Sequence, residues 1–284
     1  METVHQLLEL FPYAVLGSIL AGIICSFLGI FIVSQRVVFL GAVLTQVAIA
    51  GVAFSFLHLI HFPSFMAENP SFHNFEPAFY SLAFALVTVT IFSQTHRQKY
   101  LTQDGILGII FVVAVAARIM FIQKSPVADV SEVESILKGD ILFINQTQFF
   151  IFGAILIFTI SLFLVFQNQL KFVTFDSESA SAHGINSKLW LVIFYAVVGT
   201  GISLTTRFVG DVFAFAYLII PSSIGLLLAS KVRNVFLISV LIGAIVPPIS
   251  IFLAFKFDFS SGPTAVITAF ILFLVVFILK KIKG

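Results

Sequence analysis

The feature that most constrains this chain is a series of apolar runs, most of them long enough to cross a lipid bilayer and one of them, Ala78–Phe92, short. The first run, Phe11–Val33, contains 23 residues and no charged side chain. A helix needs about 20 apolar residues to span the hydrocarbon core, so this run predicts a spanning helix. It follows no basic segment and exceeds the length of a signal-peptide core, which argues against a cleaved leader.

Eight further apolar runs follow, each bounded by a short polar segment. Charged residues make up 10% of the 284 positions, against roughly 25% in soluble domains. Backbone groups in lipid must be hydrogen-bonded within their own segment, so these runs predict helices. We therefore expect an all-α, polytopic transmembrane helical bundle of about eight or nine spans, forming one domain over residues 1–284. The runs are Val37–Leu57, Ala78–Phe92, Gly105–Ile122, Phe149–Phe166, Leu189–Thr206, Phe208–Ser230, Val235–Phe255 and Pro263–Leu279.

The basic residues predict the orientation of the spans. They dominate alternate polar breaks, and the intervening breaks contain most of the acidic residues. Cytoplasmic loops are enriched in Lys and Arg, so the N-terminus is expected outside and the C-terminus inside if all nine runs cross. The basic breaks contain Arg36, then Arg97 and Lys99, then Lys171 and Lys188, then Lys231 and Arg233, then Lys280, Lys281 and Lys283.

The sequence contains no motif for nucleotide hydrolysis or enzyme chemistry. The pattern G-x-x-x-x-G-K-[ST] is absent, so we do not expect the chain to bind ATP phosphates. A net charge of +2 gives no reason to expect a nucleic-acid partner. The chain is predicted not to be an enzyme, and energy for transport would come from a partner subunit or an ion gradient.

Five stretches, taken in their order along the chain, carry a resemblance to a known family. Together they resemble the zinc/manganese-type ABC transporter permeases, known as the ABC-3 family, over nearly the whole sequence. They are residues 36–46 with 51–54; Asp104–Gly108; Leu137–Leu142; Asp176–Ala180 with 184–185; and Phe208–Gly210 with Leu218–Pro221, before Ser261–Pro263 opens the last run.

The resemblance implies the fold and the partners of an ABC importer permease. It implies a cytoplasmic ATP-binding subunit, an extracytoplasmic solute-binding protein, and a homodimer or a pairing with a similar permease. The location implied is the bacterial cytoplasmic membrane. No cofactor would be bound by this chain, ATP would be bound by the partner, and a divalent metal (zinc, manganese or iron) would be the cargo.

The segment 176–185 is predicted to contact the ATPase. Its Asp and Ser residues suit a helix N-cap and Gly184 suits a C-cap, which indicates a short helix. In the family this element is the coupling helix, so the resemblance assigns ATPase coupling to Asp176, Glu178, Ala180 and Gly184. The alternative is an ordinary interhelical loop.

Four residues within the apolar runs are candidates for the translocation path. The resemblance places an Asp and a His of the metal path at positions that carry Ala42 and Gln46 in this chain, so it supports the fold better than the cargo. Asp211 either faces the path or lies at the outer interface. Arg118 is favoured to snorkel to the outer surface, with a pair to Asp211 as the alternative. Pro221 is expected to interrupt a path-lining helix, with a simple proline kink as the alternative.

Two histidines are the candidate metal ligands near the outer surface. His58 and His61 are three residues apart, and carboxylates follow them in the same polar segment. Imidazole and carboxylate together suit zinc or manganese. The alternative is that both side chains only fill an amphipathic membrane interface.

Two other classes of function stay open at this point. One is a secondary transporter or channel that uses Asp211 and Arg118 as its ion-coupling pair, and the other is an ABC permease for a non-metal cargo. An intramembrane enzyme ranks below both, because no catalytic constellation is present. A gene for an ATPase beside this one would favour an ABC permease.

Overall fold

The computed structural model describes residues 11–57, 76–95, 102–125, 141, 144, 146–166, 169 and 186–283. Those residues contain nine long α-helices and no strand. Each helix is long and apolar enough to cross a membrane, which confirms the predicted bundle at its upper count. The helices are α1 (Pro12–Ser34), α2 (Val38–Ser55), α3 (Glu76–Thr95), α4 (Gln103–Lys124), α5 (Gln146–Val165), α6 (Ser187–Val209), α7 (Asp211–Leu228), α8 (Val232–Phe257) and α9 (Ser261–Lys283).

The boundary between α6 and α7 differs from the predicted runs. We expected one run to end at Thr206 and an interrupted one to cover Phe208–Ser230. Instead α6 continues to Val209, and only Gly210 separates it from α7. Gly210 has φ 88°, a conformation that glycine adopts without the steric cost other residues incur. The expected break at Pro221 is wrong, since this proline lies inside a continuous α7.

Helices α1, α7 and α8 pack closely through small side chains. A Cβ atom on Gly22 of α1 would overlap the carbonyl oxygen of Gly243 on α8. The Ser222 hydroxyl of α7 donates to the Ser26 carbonyl oxygen of α1 at 3.1 Å. Helices in lipid associate through van der Waals packing and interhelical hydrogen bonds, and both are present here.

Helix α2 is enclosed on several sides, by α3, α4, α6 and α7. Most of its side chains are buried, including Ala42 and Thr45, whereas Gln46 is only half-buried. Large apolar side chains on α4, α5 and α9 are exposed instead, as expected of helices that contact lipid or another subunit. The polar Gln46 side chain therefore lies inside the bundle.

Candidate translocation site

Three polar side chains from three helices meet inside the bundle. Gln46 of α2 donates from Nε2 to Asp211 Oδ2 of α7 at 2.9 Å. Arg118 of α4 donates from Nη1 to Gln46 Oε1 at 3.4 Å. The same Nη1 atom lies 3.9 Å from Asp211 Oδ2. We call Gln46, Arg118 and Asp211 the polar triad.

Two members of the triad, Gln46 and Arg118, lie well inside the length of their spanning helices. Gln46 is eight residues past Val38, the first residue of α2, which places it about 12 Å along the helix axis. Arg118 is six residues before Lys124, the last residue of α4, or about 9 Å from that end. Polar and charged groups at such depth usually face the bundle interior or a water-filled cavity.

The position of Asp211 stabilises its negative charge. It is the first residue of α7, where the unpaired N–H groups and the helix dipole favour an anion. Its Oδ1 atom accepts from the Val212 backbone N–H at 2.8 Å, and its Oδ2 atom accepts from Gln46. Gly210 makes this arrangement possible, because its positive φ ends α6 and starts α7 within one residue.

Gln46 bridges the two charges in the one orientation that suits both. Its NH₂ group faces the Asp211 carboxylate and its carbonyl oxygen faces the Arg118 guanidinium. The flipped amide would direct the oxygen at a carboxylate and the NH₂ group at a cation, so the charges decide the orientation. Gln46 therefore completes a neutral chain of contacts between α2, α4 and α7.

Arg118 is held loosely within the triad. Its contacts at 3.4 and 3.9 Å are longer than the usual N–H···O distance of about 2.9 Å. Its Nε atom is buried and makes no hydrogen bond within the described part of the protein. The side chain keeps 32% of its surface exposed, against 17% for Asp211. The guanidinium is therefore held by weak contacts within the triad.

The structure brings together three of the four predicted path residues. The prediction that Arg118 snorkels is wrong, because its guanidinium pairs with Asp211 and Gln46 inside the bundle. Pro221 is buried ten residues past Asp211 on α7, about 15 Å along the axis, and lies outside the triad. Its role in the path stays a prediction.

The triad is not a ready-made site for a transition metal. Ala42, one turn before Gln46, is buried and offers no ligand. Within the described ranges, no group of three or more His, Cys, Asp or Glu side chains could hold a metal ion. The triad contributes one carboxylate and one amide oxygen. These oxygen ligands suit hard cations better than they suit the metal ions that prefer imidazole ligands.

Six predicted site residues lie outside the described part of the chain. His58 and His61 are the predicted metal ligands, and Asp176, Glu178, Ala180 and Gly184 are the predicted coupling residues. Their roles stay predictions.

A second arginine, Arg207, was not among the site residues predicted from the sequence. Arg207 lies in the last turn of α6, four residues before Asp211, and its side chain is half-buried. Its Nε atom is buried and has no hydrogen-bond partner among the described residues, and its guanidinium carbon is 5.9 Å from the Phe208 ring centroid. The preceding pair Thr205–Thr206 is fully buried, a polar interruption of an apolar run that could have pointed to this position.

Within the described residues, nine helices that could each span a membrane surround the polar triad, an arrangement typical of multi-pass membrane transport proteins. Residues 8–280 match the ABC 3 transport family, and the chain belongs to that family. It is therefore a permease of the ABC transporter type.

Named relatives and a solved structure align over most of the chain. The manganese transport system membrane protein MntC of Listeria monocytogenes is 26% identical, with 95% of this chain and 91% of the relative covered. The manganese import system permease protein ScaB of Streptococcus gordonii is 24% identical, covering 93% and 89%. The structure of PsaBC from Streptococcus pneumoniae in complex with Fab has a TM-score of 0.80 at 23% identity, covering 97% and 94%, and supports the fold.

Proposed function

We propose that this chain is the membrane-spanning subunit of an ATP-driven importer for a divalent metal ion, with zinc, manganese and iron as the candidates. The observation that carries the proposal is the match of residues 8–280 to the ABC 3 transport family, and the polar triad supplies polar groups inside the bundle of that permease. Relatives named for manganese transport support the choice of cargo. Asp211 and Gln46 would supply the oxygen atoms that the ion meets in transit.

The proposal includes partners on both sides of the bacterial cytoplasmic membrane. A cytoplasmic ATP-binding subunit would hydrolyse ATP and contact Asp176, Glu178, Ala180 and Gly184. An extracytoplasmic solute-binding protein would deliver the cargo, and His58 and His61 are the candidate metal ligands at that surface. Two permease chains, identical or similar, would form the complete membrane unit, and this chain itself would catalyse no reaction.

The triad suits a path that opens alternately to the two sides. Its three members come from α2, α4 and α7, so any relative movement of these helices changes the distances between them. ATP-driven closure of the partner subunits would rock the helices and expose the triad first outward and then inward. Release inside requires that no intermediate site holds the ion too tightly.

The ion pair itself favours one second candidate, a secondary transporter. Arg118 and Asp211 lie 3.9 Å apart inside the bundle, as an ion-coupling pair would. This candidate predicts uptake that responds to an ion gradient and does not require ATP. Family membership favours the ATP-driven importer.

Uptake measurements test the proposed function directly. A deletion strain would be supplied with zinc, manganese or iron separately, with cell metal content as the readout. We expect lower content of at least one metal, restored by the intact gene. Identical uptake of all three metals with and without the gene would reject a metal cargo. Uptake without ATP by the purified chain in liposomes would reject the ATP-driven mechanism in favour of the second candidate.

A further inference from the structure

One guanidinium nitrogen lies where a cation would meet the triad's oxygen atoms. Arg118 Nη1 is 3.4 Å from Gln46 Oε1 and 3.9 Å from Asp211 Oδ2. Asp211 Oδ2 also accepts from Gln46 Nε2, and each of these two oxygen atoms has a second lone pair with which it could bind a cation. Any ion that uses both oxygens must displace this nitrogen.

We infer that Arg118 is an internal competitor for the cargo cation and determines how tightly the path binds a divalent ion. This inference rests on the proposed function, because it concerns the affinity of the same path. With Arg118 in place the triad has no net charge, and an arriving divalent ion meets a positive charge within a few ångströms. With Arg118 displaced, the carboxylate and the amide oxygen face the ion.

The geometry supports competition and argues against a purely structural ion pair. A structural Arg–carboxylate pair is usually bidentate, with short parallel N–H···O bonds. Here a single nitrogen contacts the carboxylate at 3.9 Å, and the Nε atom is buried without a hydrogen bond among the described residues. A loosely held guanidinium can be displaced without the loss of strong contacts, so the ion can enter and the guanidinium can return as the ion leaves.

The competition would keep the path from trapping its cargo. A site without Arg118 would combine an unpaired carboxylate with an amide oxygen and would retain a divalent cation longer. Removal of Arg118 should therefore raise metal affinity and slow release to the cytoplasm. Metal retention would rise while the uptake rate falls, a combination that a merely destabilising substitution would not produce.

The experiment measures metal retained by the purified permease–ATPase complex. The complex would be incubated with Mn²⁺, Zn²⁺ or Fe²⁺, passed through a desalting column, and assayed for bound metal by mass spectrometry. Arg118→Met removes the charge and keeps most of the apolar side chain, and we expect roughly tenfold tighter retention or more. Arg118→Lys keeps a positive charge and should retain as little metal as the parent.

Matched variants separate a local effect from a change in total charge. Lys124→Met removes one positive charge from the same helix about 9 Å further along, and it should leave retention unchanged. Arg118→Met combined with Asp211→Asn removes the carboxylate as well and should abolish the gain. If Arg118→Met fails to accumulate in the membrane, Arg118→Gln gives the same comparison.

Uptake measured with the same variants tests the competition by Arg118 separately from the proposed function. We expect Arg118→Met to lower the maximal uptake rate while it raises retention. If the parent imports metal and Arg118→Met binds no more than the parent, the competition is refuted and the proposed function stands. If no metal is imported or retained by the parent or any variant, the proposed function fails with it.

Discussion

The contacts of the triad predict a measurable energetic coupling between Arg118 and Asp211. At 3.9 Å, two unit charges attract by about 4 kcal/mol if the effective dielectric constant is about 20. The exposed fractions of 32% and 17% reduce this value, because water screens the pair, and measured couplings between contacting residues are about 0.5–3 kcal/mol. We therefore expect a coupling of about 1–3 kcal/mol.

The coupling can be isolated with a double-mutant cycle. Asp211→Asn leaves the Arg118 guanidinium unpaired at membrane depth, where a charge costs about 2.5–3.5 kcal/mol on insertion scales. Because Arg118 remains partly exposed, we expect a loss of about 2 kcal/mol in the free energy of unfolding, a change of about 30-fold in the unfolding equilibrium. Arg118→Met should destabilise by less, since Asp211 keeps its hydrogen bonds from Val212 and Gln46 at the N-terminus of α7. The double variant removes both charges and should be more stable than the sum of the two losses predicts.

The assay is unfolding of the detergent-solubilised protein, followed by circular dichroism across a denaturant series. A second cycle with Lys124→Met in place of Arg118→Met provides the control, because Lys124 is on the same helix but outside the triad. That cycle should be additive within about 0.5 kcal/mol. The reasoning is refuted if the Arg118 cycle is equally additive, because the pair would then contribute nothing to the stability of the bundle.

Three further predictions concern packing, topology and coupling. Gly22→Val should lower the thermal unfolding temperature by several degrees, because its side chain would force α1 away from α8; Gly108→Ala, which has open space at its Cβ position, should change it little. An unchanged melting temperature for Gly22→Val would contradict the packing. A cysteine at Ser131 should react with an impermeant thiol reagent from outside and one at Ser179 should not, and the reverse labelling would overturn the orientation. Ala180→Arg should uncouple ATP hydrolysis from uptake while insertion stays normal, so full coupling in reconstituted vesicles would remove this segment from the ATPase interface.

The sequence alone determined that the chain crosses a membrane about eight or nine times. Nine apolar runs were visible because a bilayer imposes a minimum length on every spanning helix, whatever the helix packs against. The sequence predicted helix ends less well at positions where a single glycine or proline, and not hydropathy, was the signal. The division between α6 and α7 depends on one glycine with a positive φ, and Pro221 did not end its helix. Prolines are tolerated inside spanning helices because neighbouring groups can satisfy the freed carbonyl.

Only the tertiary structure decided what the residues of the polar triad do. Gln46 and Asp211 are 165 residues apart in the chain, and Gln46 and Arg118 are 72 apart, so no local pattern links them. Hydropathy shows that Arg118 must avoid lipid, and both snorkelling and an ion pair meet that requirement. The choice between them depends on how α2, α4 and α7 are placed around one another. That placement follows from the packing of side chains on all three helices, which the pattern of any one segment does not contain.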